Sequence, residues 1–173
     1  LRALDEGCDH ILLTVGGSGT NDGGSGMFCA LGGKLLDADG HEIPGCGGAL
    51  SKIARVDASG LDPRLQNCRF TVASDVTNPL VGELGATRVY GPQKGATPEM
   101  VGVLDSLLSR FADACAEKFG EDYRNYPGAG AAGGLGFAFR TYLGAELRSG
   151  IDTVIDAIGL EDALKDSDIV ITG

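Results

Sequence analysis

Two carboxylates in the chain follow apolar runs that are typical of buried β-strands. Asp22 lies in the loop of residues 16–24, which follows the run at residues 10–15, and Asp75 follows the run at residues 69–73. In open α/β sheets, ligands collect beyond the carboxyl ends of the strands. Either carboxylate could bind a substrate hydroxyl or help to hold Mg²⁺, and the sequence does not rank the two.

Small polar side chains surround both carboxylates. In the loop of residues 16–24, Gly17 lets the main chain approach a ligand, and three neighbours offer hydroxyl or amide groups: Ser18, Thr20 and Asn21. An elaborate turn between a strand and a helix is the alternative, but the density of polar groups favours a binding site. Asn78 could fix a substrate hydroxyl in the second loop, where an Asx turn before Pro79 is by itself the simpler interpretation.

A single lysine, Lys94, lies among small residues in the segment 91–96, directly before a predicted helix. A cation between glycines is well suited to a carboxylate or a phosphate group. The alternative is a solvated surface lysine, which is the usual state of this residue type. The loop therefore predicts an anion-binding cation, with the surface role left open.

The glycine-rich segment 128–136 satisfies the pattern GxGxxG, but residues 125–127 before it do not form a strand pattern, so a dinucleotide fingerprint is excluded. No Walker A pattern occurs in the chain. The backbone N–H groups of Gly130, Gly133 and Gly134 could hold phosphate or carboxylate oxygens. Tight turns that pack a strand on a helix explain the same glycines equally well.

The composition limits the classes of partner. The formal net charge of −10 disfavours nucleic acid, and an anionic small molecule would need local positive groups. No apolar run approaches the length of about 18 residues that a membrane span requires. The five cysteines show no zinc-ligand spacing and no signal segment is visible, so we expect reduced thiols in a cytoplasmic protein.

Short apolar strands alternate with helices, which predicts an α/β fold with a mostly parallel sheet and flanking helices. The clearest helix begins after Thr97, which can cap it, and stops at Gly120. Its apolar stripe begins at Met100 and is expected to be core. The sequence also predicts strands at residues 87–90 and 168–172, a hairpin turn at 37–40, and helices at 22–31, 49–56, 135–143, 151–158 and 160–165.

Five segments in order resemble the bacterial type-1 glycerate kinase family: GGSGTNDGGSGM at 16–27, DVTNPL at 75–80, GPQKGAT at 91–97, PGAGAAGGLG at 127–136 and DIVITG at 168–173. Single motifs of this kind are weak, but five in sequence are specific. Gly19 and Ser25 stand where the family would have alanine, which changes little chemistry.

The resemblance implies a two-domain enzyme in which a Rossmann-like domain is assembled from both chain ends and a second domain is inserted between them. Residues 1–173 would then be an internal fragment, mostly the inserted domain with edges of the other. Residues 168–173 would be a return strand into the C-terminal part of the Rossmann-like domain. The family's Asp-Ser-Phe-Lys and Glu-Gly-Arg segments are not in this sequence.

The resemblance also implies a reaction, the phosphorylation of D-glycerate by ATP with Mg²⁺, with 2-phosphoglycerate as the expected product. Asp75, Lys94 and Asp22 would be catalytic, and the two glycine-rich loops would hold phosphate or carboxylate oxygens. Lys94 would offset charge on the glycerate carboxylate or on the transferred phosphoryl group. The rival interpretation is a non-catalytic anion-binding α/β module.

Overall fold

The structure, a computed structural model, describes residues 1–171. Its strands are β1 (His10–Thr14), β2 (Lys34–Leu36), β3 (Glu42–Ile43), β4 (Arg55–Asp57), β5 (Arg69–Ala73) and β6 (Glu146–Arg148). Its α-helices are α1 (Arg2–Asp5), α2 (Ser25–Ala30), α3 (Ala86–Tyr90), α4 (Pro98–Phe119), α5 (Ala131–Leu143), α6 (Gly150–Ile158) and α7 (Leu160–Leu164). Short 3₁₀ helices cover Gly47–Lys52, Pro63–Asn67 and Pro92–Lys94.

The strands form two separate three-stranded sheets. In the parallel sheet, β5 lies between β1 and β6, with His10 opposite Arg69 and Thr71 opposite Glu146. In the antiparallel sheet, β2 lies between β3 and β4. The α/β class and the parallel sheet are confirmed. The hairpin turn at 37–40 is also confirmed, since it joins β2 to β3, but the third strand of the antiparallel sheet, β4, was not predicted.

The long helix α4 begins and ends where the sequence predicts. The Thr97 hydroxyl accepts a hydrogen bond from the backbone N–H of Met100, and Gly120 ends the helix with a left-handed φ of 84°. The buried face packs on α5 and the antiparallel sheet through residues that recur at helical spacing: Leu107, Leu108, Phe111, Ala112 and Cys115. Met100 does not belong to this face, because 46% of its surface is exposed.

Two apolar clusters hold these layers together. The larger one joins α2, α4 and α5 around Phe28, Phe111 and Phe137, which are almost completely buried. The smaller one lies against the parallel sheet and includes Phe70 and Val72. Together they fix α5 between the sheet and α4, and α5 carries the glycine-rich segment at its start.

Several local predictions are wrong. Residues 87–90 belong to helix α3 and not to a strand, the predicted helix at 49–56 is a 3₁₀ turn followed by strand β4, and α2 begins at Ser25. Strand β1 is not fully buried, since Leu12 is 48% exposed. The return strand at 168–172 stays a prediction: residues 168–171 are exposed and form no strand with the described residues, and Thr172 and Gly173 lie outside them.

Candidate active site

A cavity of about 210 Å³ opens where β1 and β5 end. Its lining comes from four segments that are far apart in the sequence: Val15, Gly16, Gly17, Ser18, Val76, Tyr90, Gln93, Lys94 and Ala132. We call it the Lys94 cavity. It brings together three of the predicted loops and the glycine-rich segment, at the edge of the sheet where an α/β fold binds its ligands.

Lys94 extends from its 3₁₀ turn across to the loop after β1. Its ammonium group donates hydrogen bonds to the Ser18 hydroxyl at 2.9 Å and to the Thr20 carbonyl at 2.7 Å. Burial lowers the pKa of Lys94, and the negative charge of Asp22 partly offsets that effect. An ammonium has three donors, so one remains for an anion in the cavity. Lys94 is therefore a fixed cation and not a solvated surface lysine.

The Asp22 carboxylate organises the loop that Lys94 contacts. Oδ1 accepts hydrogen bonds from the Thr20 hydroxyl and the Gly24 N–H, and Oδ2 accepts from the Ser25 hydroxyl and the Gly26 N–H. A carboxylate has about four acceptor sites. Since the loop occupies all of them, this geometry favours a positioning role for Asp22 over a role as proton acceptor.

Asp75 lies in a second opening of about 290 Å³, which we call the Asp75 cleft. Val76 lines both this cleft and the Lys94 cavity, so the two openings are neighbours. Asp75 Oδ1 accepts hydrogen bonds from the Gly150 N–H at 2.8 Å and the Ser149 hydroxyl at 3.3 Å. Among the described residues, Oδ2 has no hydrogen-bond partner, so this exposed carboxylate keeps one oxygen for a ligand.

The two asparagines connect structural elements through their side chains. The Asn21 amide donates to the Thr87 hydroxyl on α3 at 2.9 Å. The Asn78 amide donates to the Leu84 carbonyl, and Asn78 Oδ1 accepts from the Tyr90 hydroxyl, both at 2.8 Å. Through these contacts both asparagines position loops in this structure. Asn21 Oδ1 is buried without a hydrogen-bond partner among the described residues.

Close backbone packing explains most of the glycine-rich segment. The Gly130 N–H donates to the Asn78 carbonyl at 2.9 Å and is not free for an anion. A Cβ atom on Gly130 would lie 2.2 Å from the Pro79 carbonyl oxygen, and one on Gly133 would lie 1.9 Å from that of Thr20. A Cβ on Gly134 would lie 2.6 Å from the Cα of Gly23. These glycines let the segment press against the loops of the site.

Ala132 has a left-handed backbone, with φ of 52° and ψ of 42°, and it lines the Lys94 cavity. This conformation costs a residue with a Cβ atom about 1–2 kcal/mol. We expect Ala132→Gly to leave the free energy of unfolding unchanged or to raise it by about 1 kcal/mol, measured by urea unfolding. The same change at Ala116, inside the regular helix α4, should lower it by about 1 kcal/mol. Equal losses at both positions would contradict strain at Ala132.

Tyr90 is a lining residue that the sequence did not single out. It closes one wall of the Lys94 cavity, and its hydroxyl also holds the Asn78 amide. The only signal available was its position one residue before the Gly91–Lys94 turn. Because residues 87–90 were predicted to form a strand and not helix α3, the sequence offered no reason to place Tyr90 in the wall of this cavity.

The comparisons with known proteins agree with these loops. The profile of the glycerate kinase family matches residues 1–173. The chain belongs to the glycerate kinase family. It is 54% identical to glycerate kinase of Bacillus subtilis over 171 residues, covering 99% of the chain and 45% of that relative. It is 52% identical to glycerate 2-kinase of Escherichia coli, covering all of the chain and 45% of that relative.

A solved structure of this family also matches in three dimensions. The crystal structure of a Salmonella typhimurium LT2 protein assigned as glycerate kinase 2 has a TM-score of 0.93 and 52% identity, over 99% of this chain and 46% of that one. The chain thus spans about half the length of the relatives it matches. None of the helices in residues 1–171 is long and apolar enough to cross a membrane.

Proposed function

We propose that the full-length protein containing this chain is a glycerate kinase that transfers the γ-phosphoryl group of ATP to D-glycerate, giving 2-phosphoglycerate and ADP. The observation that carries the proposal is the Lys94 cavity, in which loops of a glycerate kinase family sequence converge on one fixed cation. The similarity to a relative named glycerate 2-kinase favours the 2-hydroxyl as acceptor. We also propose a cytoplasmic location, because the cysteines show no sign of a disulfide framework.

The chemistry assigns different tasks to the two aspartates. The substrate hydroxyl oxygen attacks the γ-phosphorus, the bond to the bridging oxygen of the leaving ADP breaks, and the hydroxyl proton passes to a base. Asp75 is our candidate base, because its carboxylate is exposed and keeps an unpartnered oxygen among the described residues. Asp22 holds the loop in place. Phosphoryl transfer depends mainly on such positioning and on neutralising charge.

As the alternative to a role as base, Asp75 would hold a magnesium ion through the same free oxygen. Carboxylate oxygens are the ligands that Mg²⁺ prefers, and Oδ2 of Asp75 has the free lone pairs that both oxygens of Asp22 lack. When bound, the ion would offset negative charge on the phosphate groups. Lys94, Ser18 and the loops contribute the fixed donors of the protein itself.

A non-catalytic anion-binding module is the second candidate, because one cation in a small cavity would also serve that purpose. A coupled assay of ADP release with ATP, Mg²⁺ and D-glycerate separates the two. We expect glycerate-dependent turnover from the full-length protein and none above background from the 173-residue chain, which spans about 45% of its relatives. A full-length protein that binds glycerate without turnover would support the binding module.

A further inference from the structure

We infer that the Lys94 cavity binds the carboxylate of the organic acid substrate, with the Lys94 ammonium and the Ser18 hydroxyl as its paired donors, and that the nucleotide phosphates bind elsewhere. This inference rests on the proposed kinase function and assigns one half of the reaction to one cavity.

The donor geometry suits a carboxylate. The Ser18 oxygen accepts the hydrogen bond from Lys94 at 2.9 Å, so the Ser18 hydroxyl hydrogen must point to another acceptor. The Lys94 ammonium donates a second hydrogen bond to the Thr20 carbonyl, and its third N–H has no partner among these contacts. Two adjacent, free donors therefore remain, one charged and one neutral. They match the two oxygens of a single carboxylate, whose charge-assisted hydrogen bonds are the stronger kind.

The charge of the lining suits a monoanion. Within residues 1–171, Lys94 is the one charged residue that lines the cavity, and Asp22 adds negative potential near it. One ammonium balances one carboxylate. A triphosphate would leave several negative charges without a partner, in a protein whose net charge is −10, and buried charges without partners are costly.

The size of the cavity agrees with the charge. Sites for drug-sized ligands have volumes of about 300–1,000 Å³, whereas this cavity has about 210 Å³. A three-carbon acid is much smaller than such ligands, and ATP is not. The Tyr90 hydroxyl donates to Asn78, so its oxygen still has a lone pair for a hydroxyl of the acid.

The test measures binding to the full-length protein by isothermal titration calorimetry, with D-glycerate and ATP titrated separately. For Lys94→Met we expect the Kd of D-glycerate to rise about 10- to 150-fold, the range of a hydrogen bond to a charged group, while the Kd of ATP stays within about twofold. Ser18→Ala should raise the Kd of D-glycerate about 2- to 10-fold. The matched control is Lys52→Met, an exposed lysine in the 3₁₀ turn Gly47–Lys52, which should change neither.

An uncharged ligand identifies the carboxylate as the group that Lys94 contacts. Glyceramide, the amide of the substrate, should bind the wild-type protein more weakly than D-glycerate, and Lys94→Met should remove most of that difference. Two results overturn the inference and leave the kinase function standing. One is that Lys94→Met weakens ATP binding more than D-glycerate binding, and the other is that the variant still binds glyceramide more weakly than D-glycerate by the same factor as the wild type. Absence of glycerate-dependent turnover in the wild type overturns the kinase function and this inference with it.

Discussion

An Asp75→Asn substitution in the full-length protein should lower kcat by about 100- to 10,000-fold, the usual contribution of a general base. Asparagine has the same shape, and its Oδ1 can still accept the hydrogen bonds from the Gly150 N–H and the Ser149 hydroxyl. The free energy of unfolding should therefore change by less than about 0.5 kcal/mol. Steady-state kinetics with D-glycerate and ATP, together with urea unfolding, measure both quantities.

Asp22→Asn is the control that distinguishes the two aspartates. Its amide would place N–H donors opposite the N–H and hydroxyl donors that Oδ1 or Oδ2 now accepts from, such as those of Gly26 and Ser25. We expect a loss of about 1–3 kcal/mol in the free energy of unfolding, the cost of unsatisfied polar groups. A loss of kcat at Asp22 that exceeds the loss at Asp75, with the fold intact in both variants, would reverse the two assignments.

The sequence predicts helices best where their signals are local. Helix α4 has a capping threonine, a proline at the first position and a glycine at the end, and all three act within a few residues of the helix. Helix α3 has no side-chain cap and no proline at its first position, and its residues Val89 and Tyr90 favour strands. Tertiary contacts stabilise the helix over a strand, because Ala86 and Thr87 are completely buried and the Thr87 hydroxyl accepts a hydrogen bond from the Asn21 amide.

Short strands are hard to predict from the sequence when pairing with a distant strand determines whether they form. Strand β4 pairs with β2, about 20 residues earlier, and its three residues are too few for an alternating pattern to reveal this partner. The apolar run at 168–171 has the composition of a strand but no pairing partner among the described residues. Whether it pairs with a part of the full-length protein outside this chain stays a prediction, as does the division into two domains.

The sequence predicted in part which residues the fold brings together, while their roles in binding and catalysis stay predictions. Lys94, Ser18 and Gly17 line one cavity, as strand ends and loop positions suggested. The tasks of Asp22 and Asn78 could not be read from the sequence, because the hydrogen-bond partners of their side chains are set by the folded loops. A polar residue after a strand indicates a loop of the site, but only its hydrogen bonds show whether it holds the loop or faces the ligand.

The glycines illustrate the same limit with larger consequences. Glycine-rich loops are needed either to expose N–H groups or to let two backbones approach, and the sequence pattern is identical in both cases. Gly17 and Gly16 lie in open space, whereas Gly133 and Gly134 contact the loop after β1 from a position more than 100 residues later. Alanine at Gly17, Gly133 or Gly134 would bear the cost of a left-handed backbone, but only at Gly133 and Gly134 would the added methyl group also clash with another backbone or side chain.

Gly133→Ala should therefore be one of the most damaging single substitutions in the chain, with a loss of more than about 4 kcal/mol in the free energy of unfolding. Its φ of 70° would cost alanine about 1–2 kcal/mol. The remainder comes from a Cβ atom 1.9 Å from the Thr20 carbonyl oxygen, a distance at which one backbone must move. That oxygen also accepts the hydrogen bond of Lys94, so the movement should weaken glycerate binding as well.

Gly144→Ala is the matched control at the other end of α5. Gly144 has a φ of 59° and nothing within 4 Å of an added Cβ atom, so it bears the conformational cost without the clash. Urea unfolding should show a loss of about 1–2 kcal/mol for Gly144→Ala, and D-glycerate affinity should not change. Equal losses for the two variants would mean that left-handed backbone alone explains Gly133. In that case the loop after β1 would tolerate a methyl group at position 133. The close contact between Gly133 and Thr20 would then not be the feature that fixes the Thr20 carbonyl beside Lys94.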